Sequence, residues 1–322
     1  MLAMTVESIL AAADGVTPQI VVVDDGSTDE CVALVRERYE DRVNVVTGGG
    51  LGVARARNRG ADELDADVLV FMDAHCTVQR GWLERALEIL RDDDVGLLGP
   101  AFTNLGESAP RGCGMRWSGP NLETCWFVAP ETTHPIRVPL TIGACHIFRR
   151  DTFDRVGRYD EQFSTWGFED VEMCLRVWTC GLSVIADPQM TVAHYFRTAR
   201  DNYAIPEMGV LLNFLRLVYL HMSPTVIRTI LAAFEGYEPL MQAQQVLFER
   251  SIFDERQRRF ESRERDDLWF FDEINGPLSS AASIPGRSHD VASTVHVQSG
   301  QHAPRERTTS LTGVWGATLG DS

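Results

Sequence analysis

The sequence of 322 residues contains no lysine, so all 30 of its basic residues are arginine. This absence excludes every chemistry that needs a lysine amine, including Schiff-base catalysis and the lysine of a phosphate-binding P-loop. Positive charge is also scarce overall, because the 46 acidic residues leave a formal net charge of -16. A strongly acidic chain repels phosphate backbones, so we expect no nucleic-acid partner.

Paired cysteines and long apolar runs are missing as well. The seven cysteines are scattered, and none forms a C-x-x-C pair. This usage is typical of reduced thiols in a cytoplasm rather than of a disulfide framework or a zinc site. The opening stretch MLAMTVESILAAADG has no basic segment, so we expect no signal peptide. The most apolar later stretch, Met208 to Met222, is broken by Asn213, Arg216 and His221, and we expect no transmembrane segment.

Apolar runs alternate with amphipathic stretches through the first part of the chain. Strand-like runs are QIVVVDD, VNVVTG, VLVFMD and VGLLGPAF, and helix-like stretches such as STDECVALVRERYE and GWLERALEILRDD separate them. This alternation predicts an α/β fold with an open, mainly parallel sheet and flanking helices. Ligands of such sheets bind beyond the carboxyl ends of the strands, which is where Asp25 and Asp73 would lie.

The pattern changes after about residue 206, which suggests three parts. Residues 1–206 would form the α/β domain, and residues 207–276 would form a helical extension packed on it. Residues 277–322 are rich in Ser, Thr, Gly and His. Their apolar content is too low to offset the entropy of ordering, so we expect a disordered tail.

The strand VLVFMD ends in Asp73-Ala74-His75. Residues two apart in a strand point to the same side, so this carboxylate and this imidazole could share a ligand, and a divalent cation is the obvious candidate. A simple turn explains the same three residues, with Asp73 accepting backbone N–H groups and His75 exposed. The pattern alone does not decide between the two.

Two further stretches could bind a nucleotide. VVVDDGSTD places Asp24 and Asp25 at a strand end, where a carboxylate can accept a hydrogen bond from a nucleobase or ribose, or can cap a turn. GGGLGVARAR is a Gly-rich turn that enters a helix, and the first N–H groups of a helix favour anions. Arg55 and Arg57 lie on different faces of that helix, so we expect one of them to point toward the site.

Several stretches in one order resemble the nucleotide-sugar glycosyltransferases of GT-A fold. They are DDGSTD, GVARAR, FMDAHCTVQRGWLE, TIGACHIFRRDTF, the block YDEQFSTWGFEDVEMCLRVWTCG, and VAHYFR. The resemblance covers roughly residues 5 to 206 and is closest to the polypeptide N-acetylgalactosaminyltransferases of family 27, beside the wider family 2. It implies a Rossmann-like GT-A domain that uses a UDP-sugar, most simply a UDP-N-acetylhexosamine.

The resemblance also implies a metal site. The galactosaminyltransferase-like pattern has D-x-H at the strand end and a distant histidine before F-R, which here are Asp73, His75 and His194. The implied cofactor is Mn2+, with Mg2+ as the alternative. Mixed carboxylate and imidazole ligands suit Mn2+ better than Mg2+.

The residues that would hold the donor follow from the same resemblance. WGFED resembles the W-G-G-E-N of the galactosaminyltransferases, so Trp166 would cover the sugar and Glu169 would bind its hydroxyls. Gly143-Ala144 matches a Gly-Gly pair at which the family's backbone approaches the sugar, and small residues allow such an approach. The full set implied for the nucleotide sugar is Asp24, Asp25, Arg55, Arg57, Asp73, Gly143, Ala144, Arg197 and Tyr203.

Asp170 leaves the stereochemistry open at this point. Together with Trp166 and Glu169 it makes up the candidate catalytic set, and it stands where the closest relatives have Asn. An inverting family 2 enzyme needs a carboxylate base, which Asp170 could be. A retaining enzyme needs none there, and we favour retention. Glu169 and Asp170 could also simply charge a helix N-terminus.

The sequence departs from the family before DDGSTD. The family's first strand, of the V-I-I-P type, has no counterpart ahead of TVESILAAADG, so we expect the sheet to lack it. This loss keeps open a non-catalytic protein that binds a nucleotide sugar. We find no stretch that resembles the membrane anchor or the lectin domain of the animal enzymes. We therefore expect a bacterial, cytoplasmic enzyme whose acceptor is a small molecule, a carrier-bound intermediate or a glycan.

Overall fold

The structure is a computed structural model that describes residues 1–13, 15–128, 130–196 and 206–278, and the backbone of residues 311–317. The strands are β1 (Gln19–Asp24), β2 (Asn44–Thr47), β3 (Val68–Asp73), β4 (Cys76–Val78), β5 (Val95–Asn104), β6 (Pro110–Gly112), β7 (Met115–Trp117), β8 (Thr124–Trp126), β9 (Ile136–Arg137), β10 (Cys145–Arg149), β11 (Ser183–His194) and β12 (Leu311–Ala317). The helices are α1 (Leu2–Ala12), α2 (Cys31–Tyr39), α3 (Val53–Asp62), α4 (Trp82–Ile89), α5 (Arg150–Arg155), α6 (Glu169–Thr179), α7 (Glu207–His221), α8 (Pro224–Ala232), α9 (Glu238–Phe248), α10 (Ile252–Ser262) and α11 (Asp267–Trp269). A 3-10 turn spans Glu40–Arg42, and a π-helical segment spans Phe270–Asn275.

The main sheet has the strand order β2-β1-β12-β3-β10-β5-β11-β4, with β6 paired to β5 and β9 paired to β11. The strands β2, β1, β3, β5 and β11 run in one direction. This follows because β1 is parallel to β2, β5 is parallel to β11, and the antiparallel strands β12 and β10 each lie between two of the others. The carboxyl ends of these five strands therefore share one edge of the sheet, as the α/β prediction requires.

The apolar runs form strands because both faces of the sheet are covered. In β1, Ile20 and Val22 join one apolar cluster, whereas Val21 and Val23 join the other. Helices α1, α2 and α4 contribute to the first cluster, and α3, α5, α6 and α7 contribute to the second. A strand that is buried on both faces needs a continuous apolar run rather than an alternating one, which is what the sequence shows.

Strand β12 occupies the position between β1 and β3 and is antiparallel to both. Thr312 lies opposite Asp73 on one side and Val23 on the other, and Val314 lies opposite Phe71 and Val21. The sequence predicted disorder throughout residues 277–322, whereas the structure places residues 311–317 in the sheet. The physical reason is that β1 and β3 would otherwise each carry a row of unpaired backbone groups. Residues 279–310 and 318–322 lie outside those described.

Helices α7 to α11 lie between β11 and β12 along the chain and pack against the sheet through α6 and α7. Two buried contacts hold them: Arg216 of α7 forms an ion pair with Asp160 at 2.7 Å, and His221 of α7 is hydrogen-bonded to Glu172 of α6 at 2.8 Å. Among the residues that the structure describes, no helix is at once long enough and apolar enough to cross a membrane.

We expect Val314→Pro to lower the midpoint of thermal unfolding by about 3 °C or more relative to Val314→Ala. Proline removes the N–H group at the centre of β12, and an unpaired backbone group inside a sheet costs about 1–3 kcal/mol. Differential scanning calorimetry of the two variants measures the difference. Equal midpoints would contradict the position of β12 between β1 and β3.

Candidate functional site

Three side chains with metal-binding atoms meet at the carboxyl edge of the sheet. Asp73 ends β3, and a tight turn carries His75 into β4, which pairs antiparallel with the end of β11 so that Cys76 lies opposite His194. His194 Nε2 lies 3.3 Å from Asp73 Oδ2, and His75 Nε2 lies 3.8 Å from the same oxygen. One ligand atom from each residue lies within 4.8 Å of the other two. The structure thus brings the predicted metal ligands together.

The chemistry of this cluster fits a divalent ion. His194 is 8% exposed, and both of its ring nitrogens are buried without a hydrogen-bond partner among the described residues. Buried polar atoms normally have partners, so these nitrogens point to a ligand. Desolvation alone would raise the pKa of Asp73, but the close approach of His194, His75 and Arg57 holds it below its usual range. Asp73 is therefore ionised, as a metal ligand must be.

Arg57 connects this cluster to the second half of the site. Its guanidinium donates to Gly143 O at 2.8 Å and to Glu169 Oε1 at 3.2 Å, and it lies 3.6 Å from Asp73 Oδ1. The side chain is buried, whereas Arg55 is exposed and donates to the carbonyl of Glu161. Two arginines that are two residues apart on α3 thus face different surroundings, and Arg57 is the one that reaches the site.

Glu169 and Asp170 begin α6 at this point. Glu169 is 4% exposed, and its Oε2 accepts the N–H of Gly167 at 2.9 Å. Burial raises the pKa of Glu169 to about 7; the charge of Asp170 adds to the rise, and that of Arg57 opposes it. The site therefore holds a carboxyl group that changes its protonation near neutral pH.

Both carboxylate oxygens of Asp170 accept backbone hydrogen bonds. Oδ1 accepts the N–H of Val171 at 2.8 Å, and Oδ2 accepts the N–H of Gly143 at 2.9 Å. A Cβ at Gly143 would lie 2.7 Å from a guanidinium nitrogen of Arg57 and 2.9 Å from Cβ of Asp170, so only glycine fits. The carbonyl of the next residue, Ala144, accepts the N–H of Asp73 at 3.1 Å. Residues 143–144 are thus packed between the metal cluster and α6.

Asp25 holds the Gly-rich turn. Its Oδ1 accepts the N–H groups of Gly50 at 2.9 Å and Leu51 at 2.6 Å, and its Oδ2 accepts that of Gly52 at 2.8 Å. These N–H groups belong to the turn that precedes α3, which begins at Val53. Asp25 therefore fixes the turn and does not take the first N–H groups of the helix, for which an anion stays a prediction. The neighbouring Asp24 caps its own turn by accepting the N–H of Ser27 at 2.8 Å.

The remaining predicted residues lie apart from these contacts or outside the described part. Trp166 is 52% exposed and stands on the segment just before Glu169. Arg197 and Tyr203 belong to residues 197–205, which lie outside those described.

Tyr159 and His146 support the site, although sequence reasoning did not single them out. The guanidinium of Arg57 lies 5.0 Å from the centre of the Tyr159 ring, and the Tyr159 hydroxyl is 2.9 Å from Nδ1 of His146. Burial lowers the pKa of His146 to about 3, so this imidazole is neutral. Both residues fall inside stretches that carry the resemblance, but their spacing gives no sign of a contact with Arg57.

Comparison with known proteins shows that parts of this chain are similar to glycosyltransferases. Residues 1–157 match the model of glycosyl transferase family 2, and residues 127–201 match that of the N-terminal domain of galactosyltransferase. Polypeptide N-acetylgalactosaminyltransferase 6 of Bos taurus is 30% identical over 306 residues, which cover 84% of this chain and 46% of that protein. Polypeptide N-acetylgalactosaminyltransferase 16 of Homo sapiens is 33% identical over 224 residues, which cover 64% and 39%. The chain thus spans less than half of the length of these relatives.

A solved structure has the same fold. The crystal structure of GalNAc-T7 with UDP, GalNAc and Mn2+ matches with a TM-score of 0.64 at 20% sequence identity, over 84% of this chain and 53% of that one. At this identity the match shows the fold, and it confirms the predicted GT-A architecture.

We expect Glu169→Gln to flatten the pH dependence of stability. The pKa of Glu169 is raised in the folded state from 4.5 to about 7. Its contribution is therefore fully present below pH 4.5 and is lost as the pH rises through 7. Between pH 4.5 and 7 the free energy of unfolding of the wild type should fall by up to about 3 kcal/mol from this group. The variant should not show this fall.

Urea unfolding of metal-free protein with a chelator, at several pH values across that window, measures the difference. The exposed residue Glu37 provides the matched control, Glu37→Gln, which should follow the wild type. A constant difference between wild type and Glu169→Gln at every pH would contradict the raised pKa.

Proposed function

We propose that the chain is a metal-dependent glycosyltransferase with a UDP-sugar donor, because residues 1–157 match the model of glycosyl transferase family 2 and the chain is similar to the polypeptide N-acetylgalactosaminyltransferases. The observation that carries the proposal is the cluster of Asp73, His75 and His194, in which the buried ring nitrogens of His194 make no well-formed hydrogen bond and Nε2 approaches the Asp73 carboxylate. This cluster lies at the carboxyl edge of the sheet, where ligands of open α/β sheets bind.

Asp73, His75 and His194 would hold Mn2+, which accepts imidazole ligands more readily than Mg2+ does. A divalent ion at this place offsets the negative charge that develops on UDP as the glycosidic bond breaks. Arg57 fixes the Asp73 carboxylate from the side of α3 and helps to keep it ionised.

The donor sugar, which we propose is an N-acetylhexosamine, would lie between Glu169, Trp166 and the backbone of residues 143–144. Glu169 is held by Arg57 and Gly167, so its position is fixed before a sugar binds. Trp166 is the exposed aromatic residue beside it and would cover the sugar face. Gly143 has no room for a side chain because Arg57 and Asp170 fill that space, so these two residues fix the backbone that would face the sugar.

The residues that would bind the nucleotide part of the donor are also a proposal. Asp25 would act by shaping the turn at residues 50–52 rather than through its own carboxylate, which the turn already occupies. Asp24 lies beside it at the end of β1, and Arg55 lies on the exposed face of α3. Arg197 and Tyr203 would contact UDP from the segment after β11.

We propose retention of configuration. A base that takes a proton from an acceptor needs a carboxylate oxygen directed at the substrate. The oxygens of Asp170 are directed at the backbone N–H groups of Gly143 and Val171, which supports a role in holding Gly143. The inverting alternative with Asp170 as base has less support from this geometry.

We expect Asp170→Asn to reduce the rate of UDP-N-acetylgalactosamine turnover by less than about tenfold, whereas loss of a general base costs about 10²- to 10⁴-fold. Glycosyl transfer to an acceptor, or slow donor hydrolysis where no acceptor is known, gives the rate. NMR of the sugar product gives its anomeric configuration. Inversion, together with a loss of 10²-fold or more in the variant, would establish Asp170 as base instead.

The acceptor substrate, the cellular location and the domain boundaries are also proposals. We propose a small-molecule, carrier-bound or glycan acceptor and a cytoplasmic location, for which the seven free cysteines are the support. The relatives named above come from animals, so a bacterial source stays a prediction. Residues 1–206 would form the catalytic domain and residues 207–276 a helical extension; the rest, residues 277–322, would be a tail that lends β12 to the sheet.

We expect Mn2+ to tighten UDP binding by about tenfold or more, and His194→Ala to abolish that gain, because the variant removes one of three ligands. Isothermal titration of UDP into metal-free protein, with and without Mn2+, measures it. The exposed residue His134 provides the control, His134→Ala, which should behave as wild type.

Binding that ignores both the metal and His194 would contradict the proposed site. Metal-dependent UDP binding without transfer or hydrolysis of any UDP-sugar would instead support the alternative of a non-catalytic nucleotide-sugar binding protein.

A further inference from the structure

The segment from Thr165 to Phe168 holds a backbone conformation that it cannot keep by itself. Gly167 has φ of 109°, and Phe168 has φ of 70°, which is the left-handed region that bulky residues rarely adopt. The turn leaves Trp166 exposed and places Glu169 in the interior within four residues. Strain of this kind persists only where neighbouring groups fix the backbone from outside.

Helix α7 supplies such a group in Asn213. This side chain is 2% exposed, and its Nδ2 donates to the carbonyl of Thr165 at 3.0 Å and to the carbonyl of Gly167 at 2.9 Å. The same nitrogen lies 3.3 Å from the hydroxyl of Thr165. Asn213 thus bonds the residues on both sides of Trp166.

Two other contacts fit α7 closely to this segment. A Cβ at Gly209 would lie 2.6 Å from Cγ2 of Thr165, so the helix approaches as near as a glycine allows. The ring centres of Phe168 and Phe214 are 5.5 Å apart, which gives the left-handed residue an apolar partner. One turn further along, Arg216 pairs with Asp160 and ties α7 to the chain ahead of the segment.

We propose that Asn213 is a positioning residue for the donor sugar: α7 holds residues 165–168 so that Trp166 and Glu169 address the same bound sugar. This inference rests on the proposed function and extends it to a helix beyond the residues that the family models match. It assigns the helical extension a part in recognising the sugar but not the nucleotide, because Asn213 has no contact with the metal cluster or with the turn that Asp25 holds.

The test compares UDP with UDP-N-acetylgalactosamine in the presence of Mn2+. Asn213→Leu keeps the approximate size of the side chain but removes the donor, which leaves two buried carbonyls without it. We expect the dissociation constant of the sugar nucleotide to rise about 10- to 100-fold, while that of UDP stays within about twofold. An equal change for both ligands, or no change for either, would overturn the proposal.

Asn275→Leu is the matched control. Asn275 is also buried in the extension and also donates to a backbone carbonyl, that of Trp117 at 3.1 Å, but it holds a segment away from the site. It should lower the midpoint of thermal unfolding as Asn213→Leu does, without changing the ratio of the two dissociation constants. An equal change of that ratio in both variants would show a general structural effect and overturn the positioning role.

A second measurement separates this proposal from the function on which it rests. In metal-free Asn213→Leu, loosening of the segment should admit water to Glu169, so the pKa of Glu169 should fall from about 7 toward its usual value. Carbon-13 NMR of labelled glutamate follows that titration without any donor. If the titration shifts but the protein binds no UDP-sugar, the proposed function is refuted, and the hold of Asn213 on residues 165–168 stands. If the titration does not shift, the hold of Asn213 on residues 165–168 is refuted.

Discussion

The buried guanidinium of Arg57 is the interaction on which the rest of the site depends. It lies among three negative or partly negative partners, Asp73, Glu169 and the carbonyl of Gly143, and above the face of Tyr159. Burial alone would lower the pKa of Arg57, but these partners raise it, so the cation stays charged. Without it, the carboxylates at the end of β3 and the start of α6 would repel one another in a poorly solvated space. The planar guanidinium of Arg57 presents donors in several fixed directions, so it can approach three acceptors at once. An ammonium group lacks this geometry.

The same environment gives two carboxyl groups opposite properties. Asp73 stays ionised because two imidazoles and Arg57 surround it, whereas Glu169 is shielded from water and adjoins Asp170, so it binds a proton near neutral pH. The ionised Asp73 can bind a cation, and Glu169, which is protonated near neutral pH, can form hydrogen bonds with neutral hydroxyl groups. One site can therefore serve both ligands. The side chains of Tyr159 and the neutral His146 are hydrogen-bonded to each other and supply uncharged surroundings to this site.

Sequence reasoning succeeded where a local pattern or the family resemblance was available and failed where a distant contact left neither. The strands β1, β2, β3 and β5 follow from apolar runs, whereas the cluster of Asp73, His75 and His194 was expected from the resemblance to the galactosaminyltransferases. The helix-like stretch STDECVALVRERYE predicted a helix from Ser27, but α2 begins at Cys31, and the N–H of Ser27 is bonded to Asp24 in a turn. The role of Asp25 depends on a turn 25 residues away, and that of Asn213 on a segment 46 to 48 residues away. Contacts between residues so far apart in the sequence produce no periodic pattern of side chains, so they could not be predicted from it. Strand β12 was missed because two glycines interrupt the apolar run of LTGVWGA and the residues before it are polar.

The place of β12 has a consequence for how the molecule is made. Among the described strand pairings, it alone joins the β2-β1 pair to β3 and the strands beyond, and its partners in β1 precede it by nearly 300 residues, as in Gln19 opposite Gly316. Contacts of such long range form late, since the chain must first close a very large loop. During synthesis the facing edges of β1 and β3 therefore stay unpaired until the residues of β12 have left the ribosome. The ends of β1 and β3, which carry Asp24 and Asp73, become aligned through the sheet when β12 pairs with both strands.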